Sequence, residues 1–474
     1  MKLKLVVASM SLLGLVSCPV FAATTATSTT AESATATTAT ATTVKHKRHH
    51  KMMAHHVKHH ETLAQERREE RVEAERISYK GEMSPVEVCS VSQTSIILDE
   101  ATQNLGRALP NPCNPGWYNR IMVSGGMNVD LGKWGNRNAD FQGENYNRFS
   151  LNDVYVNIGA NINDWTKAFA SISYSNTSST GGSDSDHYGY SSVYNNNTLS
   201  LEQAYFTVGN FDVSPIFVQI GKQFTDFSRY EIHPITRSMT QVLSEALPTS
   251  GKLGFIVPMG FHGSLYIFDD PIKKIGKTSR TTDYGATLGY DQPGDQFGWD
   301  LGVGYVYNMM AAEDVAHGVS NFTGGGYNSR KAAAALYADI NSGPFSVNAR
   351  WTGAVQRFNP SDLPKHGFAD EGTDDVINAD ASGAKPWAVG IQAGYGFEMF
   401  GGRSNNVFLG YQQSGEAVGI GLPKNRWLVG YGIELWKKTN LGLEWDHDTD
   451  YSTGNGGSGN TDNLVTLRAG VQFG

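Results

Sequence analysis

Apolar and polar residues alternate with a period of two through most of this chain. Near its end Val465, Leu467, Ala469, Val471 and Phe473 interleave with Thr466, Arg468, Gly470 and Gln472. One such run is a half-buried strand in any fold. Here the pattern recurs about sixteen times from Ile121 onward, at roughly 120–130, 149–161, 165–176, 199–209, 213–223, 252–257, 260–269, 283–291, 297–308, 332–341, 344–356, 386–399, 405–413, 426–437, 439–448 and 462–473. The two faces differ in kind. Trp387, Val389, Ile391, Ala393, Tyr395 and Phe397 share one face, against Ala388, Gly390, Gln392, Gly394, Gly396 and Glu398 on the other. An aliphatic and aromatic face set against Gly, Gln, Glu and Arg suits a barrel with lipid outside and water inside.

The connections point the same way. Short turns follow the even-numbered strands, at 161–164, 209–212, 258–259, 291–296, 341–344, 400–404 and 438–439. Long loops rich in Gly, Asn and Asp follow the odd ones, at 131–148, 177–198, 224–251, 270–282, 309–331, 357–385, 414–425 and 449–461. A soluble sandwich predicts no such split. The expected fold is therefore all-β, an antiparallel transmembrane β-barrel of about 16 strands over residues 119–474, in the outer membrane with both chain ends periplasmic. Trp165, Trp299, Trp387, Trp427, Trp436 and Trp445, with Tyr307 and Phe473, lie near strand ends. They fit the two lipid interfaces better than an ordinary aromatic core.

The N-terminal part is an appendage. Residues 1–22 read as a secretory signal, with Lys2 and Lys4, an apolar stretch over 5–16, and Val20-Phe21-Ala22 before Ala23. Leu15-Val16-Ser17-Cys18 also fits cleavage before a lipid-modified Cys18, but a barrel needs no lipid anchor. Residues 23–60 are a disordered Ala/Thr run followed by a His/Lys-rich tail. His49, His50, His55, His56, His59 and His60 are a weak candidate metal tract, with no carboxylate or cysteine partner. A cationic tether to peptidoglycan or lipid head groups is the preferred reading, with no cofactor and, given the export signal, no nucleic acid. Residues 61–80 read as a charged helix with dense Glu/Arg pairing, at most a weak coiled coil holding a homo-oligomer. A periplasmic linker follows at 81–118. In it Cys89 and Cys113, flanked by Pro85, Pro110, Pro112 and Pro115, suit a disulfide, with unrelated thiols as the alternative.

Composition adds two points. With 53 glycines and 18% charged residues, the chain is polar without being charge-rich. The net charge of −8 hides a positive N-terminal region ahead of a more negative barrel.

A lumen this wide holds water or a loop. The loop 224–250 mixes charge with Phe227, Tyr230, Ile235 and Leu243 and is less glycine-rich than the others. General porins, which this layout resembles, narrow their channel with the loop between strands five and six. That likeness implies a pore constriction from Asp226, Arg229, Glu231 and Arg237, acid opposed to base across the channel. An outward loop packed on its neighbours is the alternative. Arg350, Glu398, Glu434, Glu444 and Arg468 should face the lumen, where as solvated groups they would tune ion preference.

These features imply an outer-membrane channel for passive diffusion of small polar solutes or ions, in contact with membrane lipid and lipopolysaccharide. An enzyme is not expected. His233, His262 and His447 are the candidate bases, with Asp446 and Asp448 beside the last. No nucleophile elbow, metalloprotease motif or phosphate loop accompanies them, and alternation puts His447 on the opposite face from its two neighbours. Long loops rich in Asn, Ser, Tyr and Gly, with Tyr188, Tyr190 and Tyr194 in the second, leave surface adhesion to host cell or matrix as the alternative.

The order of signal, Ala/Thr run, charged helix, paired cysteines and glycine-rich barrel resembles a porin-like outer-membrane family of intracellular gammaproteobacteria of the Legionella, Coxiella and Francisella type. The likeness covers about 82–473, with 85–89 and 221–234 closest. It brings no catalytic motif, and one member type regarded as an attachment protein supports the adhesion alternative. One departure from barrels in general is that Gly474 follows the terminal aromatic Phe473.

Overall fold

The computed structural model describes residues 121–473 apart from 136–145, 164, 176–197, 211–212, 231, 258, 279–281, 293–296 and 367–381. The signal, the His/Lys tail, the charged helix, Cys18, Cys89, Cys113, Glu231 and Gly474 lie outside the described residues.

Sixteen strands close into one barrel. They are β1 (Ile121–Trp134), β2 (Tyr146–Asn161), β3 (Thr166–Ser175), β4 (Thr198–Gly209), β5 (Ile216–Lys222), β6 (Thr249–Ile256), β7 (Phe261–Asp269) and β8 (Thr282–Gln292). The second half comprises β9 (Phe297–Val306), β10 (Ala333–Ser342), β11 (Phe345–Ala354), β12 (Trp387–Met399), β13 (Arg403–Gly415), β14 (Asn425–Trp436), β15 (Thr439–Thr449) and β16 (Thr461–Phe473). Every pairing is antiparallel between sequence neighbours, and β1 meets β16 from Gly125–Phe473 to Trp134–Leu464. All sixteen expected strands are present, the weakly patterned sixth included.

Alternation explains both surfaces. Leu253, Leu265, Leu288, Leu301, Leu336, Ile391, Leu409, Val429 and Leu467 point outward and are exposed. A free edge or a bare apolar belt of this size would be costly in water. In lipid the belt is solvated, and closure pairs every edge. Trp165, Trp427, Trp436, Tyr307 and Phe473 also face outward near strand ends, as expected of interface aromatics. The turns are tight where the backbone allows it. Gly343 at φ 54° opens the two-residue link from β10 to β11, and Lys438 at φ 59° closes the link from β14 to β15.

Long loops gather at one end and fill it. The third loop, L3, runs from Gln223 to Pro248 and carries a short helix α1 (Met239–Val242). The fifth, L5, carries α2 (Glu313–Thr323), which ends on Gly324 in the left-handed region. Phe227, Met239, Leu243, Met309, Met310, Val315, Val319, Tyr327 and Leu363 join one apolar core inside that end of the barrel. Fully burying a side chain such as Leu243 contributes about 1.5–3 kcal/mol, so these loops are a packed layer.

Candidate functional site

L3 crosses the lumen and docks on the far wall. Its near end is held by Asp226, which accepts from Lys252 Nζ on β6 at 2.6 Å and from Ser264 Oγ on β7 at 2.7 Å. Arg229 pairs with Asp300 on β9 and lies 4.9 Å above the Tyr337 ring. Further along, Arg350 Nε on β11 donates to the Arg229 carbonyl at 3.1 Å, and His233 Nδ1 meets Gln392 Oε1 on β12 at 2.7 Å. The Thr236 N–H donates to Glu444 Oε1 at 2.8 Å and its hydroxyl to Asp446 Oδ2 at 3.1 Å, both on β15. Arg426 Nη1 on β14 donates to the Arg237 carbonyl at 3.2 Å, and the Met239 N–H donates to Gln412 on β13. The docking wall thus runs from β11 to β15.

Wall glycines make room for this path. A Cβ at Gly304 would stand 1.8 Å from the Phe227 carbonyl, one at Gly390 2.9 Å from Ile232, and one at Gly410 2.7 Å from His233. Three wall strands therefore omit a side chain where L3 passes. The loop and the wall fit as a pair.

Of the four expected constriction residues, Asp226, Arg229 and Arg237 are described. All three sit on the inward loop, each in an ion pair, and Arg237 bridges Glu245 at 2.8 Å and Asp314 of L5 at 2.6 Å. Of the expected lumen residues, Arg350, Glu444 and Arg468 face inward but are buried, at 3%, 2% and 4% exposure. This corrects the expectation of solvated groups, because the loop and neighbouring strands cover them. Arg350 pairs with Asp339 at 2.8 Å. Arg468 forms a two-pronged pair with Asp130 at 2.7 Å on both arms, across the seam between the last and first strands. Glu434 accepts from the Lys438 N–H at the short-turn end, and Glu398 is exposed at that same end.

Sequence reading missed Lys252, Asp300, Asp130 and Arg426, and it read L5 as plain loop. Arg426 grips Asp448 with two 2.6 Å contacts. The acidic start and the Val315–Val319 spacing of α2 were the available signals. The three histidines do not share a site. His233 is on L3. His262 Nε2 meets the Tyr337 hydroxyl at 3.0 Å, and His447 meets Asn463 while stacking on Trp445, away from inward Asp446 and Asp448.

Burial also shifts the loop groups. His233 is pushed down to about 4, chiefly by desolvation with Arg426 and Arg350 adding to it and the Gln392 bond opposing. Asp270, just beyond β7, is pushed up to about 8, first by desolvation and then by Asp283. It accepts from Tyr327 at 2.6 Å and from Asn308 at 2.9 Å, which ties the base of the fourth long loop, L4 (between β7 and β8), to L5. Burial beside Glu245 likewise raises Glu313 at the start of α2.

No protein-family model matches the chain. A UPF0422 protein of Coxiella burnetii is 23% identical over 354 residues, covering 71% of this chain and 68% of that protein. A UPF0422 protein of Legionella pneumophila is 25% identical over 358 residues, covering 68% of this chain and 61% of its length. Its homologues are UPF0422 proteins of Coxiella and Legionella. The resemblance drawn from the sequence is met, and the chain spans about three fifths of its Legionella relatives. Among solved structures, the outer membrane channel DcaP of Acinetobacter baumannii aligns at TM-score 0.47 and 12% identity, covering 74% of this chain and 97% of that one. An anion-selective porin of Comamonas acidovorans aligns at 0.48 and 11%, with 74% and 99% covered.

Proposed function

We propose that this outer-membrane barrel is a diffusion channel for small polar solutes and ions, with L3 as its constricting element. The observation that carries the reading is the inner face. Sixteen strands enclose more space than their side chains fill, and L3 crosses that space between charged groups on both walls. A barrel serving only as a surface anchor needs no such interior. The short turns are taken as periplasmic and the long loops as external, with the N-terminal tail reaching peptidoglycan and a homo-oligomer in the membrane.

Purified full-length protein in planar bilayers tests this. Stepwise conductance is the expected result, and its absence across salt and pH would overturn the channel. Cells lacking the protein should lose solute uptake with attachment to host cells unchanged. The reverse result would favour an adhesin.

A further inference from the structure

The long-loop rim of β7–β10 carries cations that face outward rather than into the lumen. From Pro271 to Thr282, across L4, the chain has four Lys or Arg and no Asp or Glu, against a net charge of −8 for the whole. L4 is held in place by its backbone. It pairs with L5 as a short parallel ladder, Lys273 with Gly326 and Lys274 with Tyr327, and the Ile275 N–H donates to the Tyr327 carbonyl at 2.8 Å. The Lys277 N–H then closes a turn on the Lys274 carbonyl at 3.0 Å, with Gly276 at φ 78°. Ile272 packs on the apolar core, so alternation turns Lys273 and Ile275 the other way. Both are exposed, as is Lys277, whereas Lys274 is half-buried. Neither Lys273 nor Lys277 is in an ion pair among the described residues.

L5 brings a further cation to the same rim. Arg330 Nε donates to Asp283 at 2.6 Å, and its guanidinium lies 5.8 Å from the centre of the Tyr307 ring. Tyr307 stacks on Tyr284 at 4.8 Å and 9°. Both rings are exposed on the outer face, and register sets Tyr284 beside Ile267, an exposed member of the apolar belt. Of the nearby acids, Asp270 and Asp283 are buried, and exposed Asp269 accepts from the Thr282 hydroxyl at 3.0 Å. The outward charge is therefore positive.

Cations at the top, stacked rings at the interface and an aliphatic belt below match the layers of a membrane glycolipid in order: phosphate, sugar and chain. A soluble anionic polymer would use the lysines alone. Resting on the placement of the long loops outside the cell, we propose that this rim docks a phosphorylated, acylated sugar lipid of the outer leaflet. Lys273 and Lys277 meet its phosphates, Tyr284 with Tyr307 covers the sugar, and the chains lie along the belt at Ile267.

Full-length protein in detergent micelles, titrated with bisphosphorylated lipid A and read by native mass spectrometry, tests this. The double variant Lys273→Gln with Lys277→Gln should bind about 25-fold more weakly, roughly fivefold for each lysine. Tyr284→Ala should lose about fivefold, and Lys437→Gln at the opposite rim should lose nothing. Unfolding temperature should stay at the wild-type value in the double variant, because the ladder is made by backbone and both lysines are exposed. Equal affinity in wild type and the double variant, or equal affinity for lipid A stripped of its phosphates, would overturn the site. Heparin binding as tightly as lipid A, with no loss in Tyr284→Ala, would replace the lipid by a soluble polyanion. None of these readouts needs conductance, so they stand or fall apart from the channel. On intact cells, a membrane-impermeant maleimide should label Lys277→Cys above the wild-type level. Labelling no higher than wild type would overturn the external placement of the long loops, and the proposal with it.

Discussion

The two sides of this lumen differ in charge: the β11–β15 wall meets L3 through arginines and carboxylates, whereas the β1–β4 wall is lined by hydroxyls and amides. On the β11–β15 wall, Arg350, Arg426, Glu444 and Asp446 each have a partner on L3, a neighbouring strand or both. Single buried atoms without a hydrogen-bond partner among the described residues occur on both sides, at Asn157 on β2 and at Glu444 Oε2 and Asp446 Oδ1 on β15. Partnered charges stabilise one arrangement and punish its loss, because removing one member strands the other in low dielectric. The first wall is built to hold a loop.

The sharpest way to break this contrast is to evict L3. Gly304→Leu puts a side chain where the Phe227 carbonyl lies, with only 1.8 Å to a Cβ. We expect a several-fold rise in single-channel conductance and new protease cleavage within L3, and an unchanged conductance would mean that L3 does not restrict the pore. Next in size is the seam. Asp130→Ala strands buried Arg468 and should cost about 3–5 kcal/mol, read as a lower unfolding temperature in detergent, whereas the paired change Asp130→Leu with Arg468→Met should recover most of it.

Charge selectivity should move less. Arg229→Ala and Arg237→Ala remove cations from L3, and the reversal potential under a salt gradient should shift toward cations. No shift would place these groups off the permeation path.

The smallest effects are those of pH, and the two loops respond with opposite sign. His233 is lowered from 6.5 to about 4, so its contribution to L3 docking is complete above pH 6.5 and is lost as pH falls toward 4. Open probability should rise over that window in wild type and stay flat in His233→Gln. Asp270 is raised from 3.8 to about 8. Its protonated form is the one accommodated, so the L4–L5 tie is strongest in acid and weakens as pH climbs from 3.8 to 8. Proteolysis of L5 should quicken over that range, and Asp270→Asn should remove the dependence.

Much of the molecule was legible beforehand, and the reason is local. Two-residue alternation is a property of each strand alone, so all sixteen strands could be picked out, while the third loop stayed open between an inward and an outward course. The helix α2 was missed because Gly318, Ser320 and Asn321 dilute its apolar stripe, although Val315 and Val319 stand one turn apart. The burial of Arg350 and Arg468 was misjudged for a different reason. A charged residue on an inner face looks the same in sequence whether water or a loop lies against it.

The sequence by itself determined the strand order, the two faces and the odd and even loop lengths, because each depends on periodicity or on neighbours in the chain. Only the tertiary structure decided what those residues meet. Thr236 reaches Glu444 across 208 residues and Arg468 reaches Asp130 across 338. Closing the barrel brings such residues together, and no local pattern records that closure. The same holds for the row Ser124, Asn157, Ser171 and Gln203 on the inner face of β1–β4. Its members are ordinary polar residues on four separate strands, and register alone lines them up.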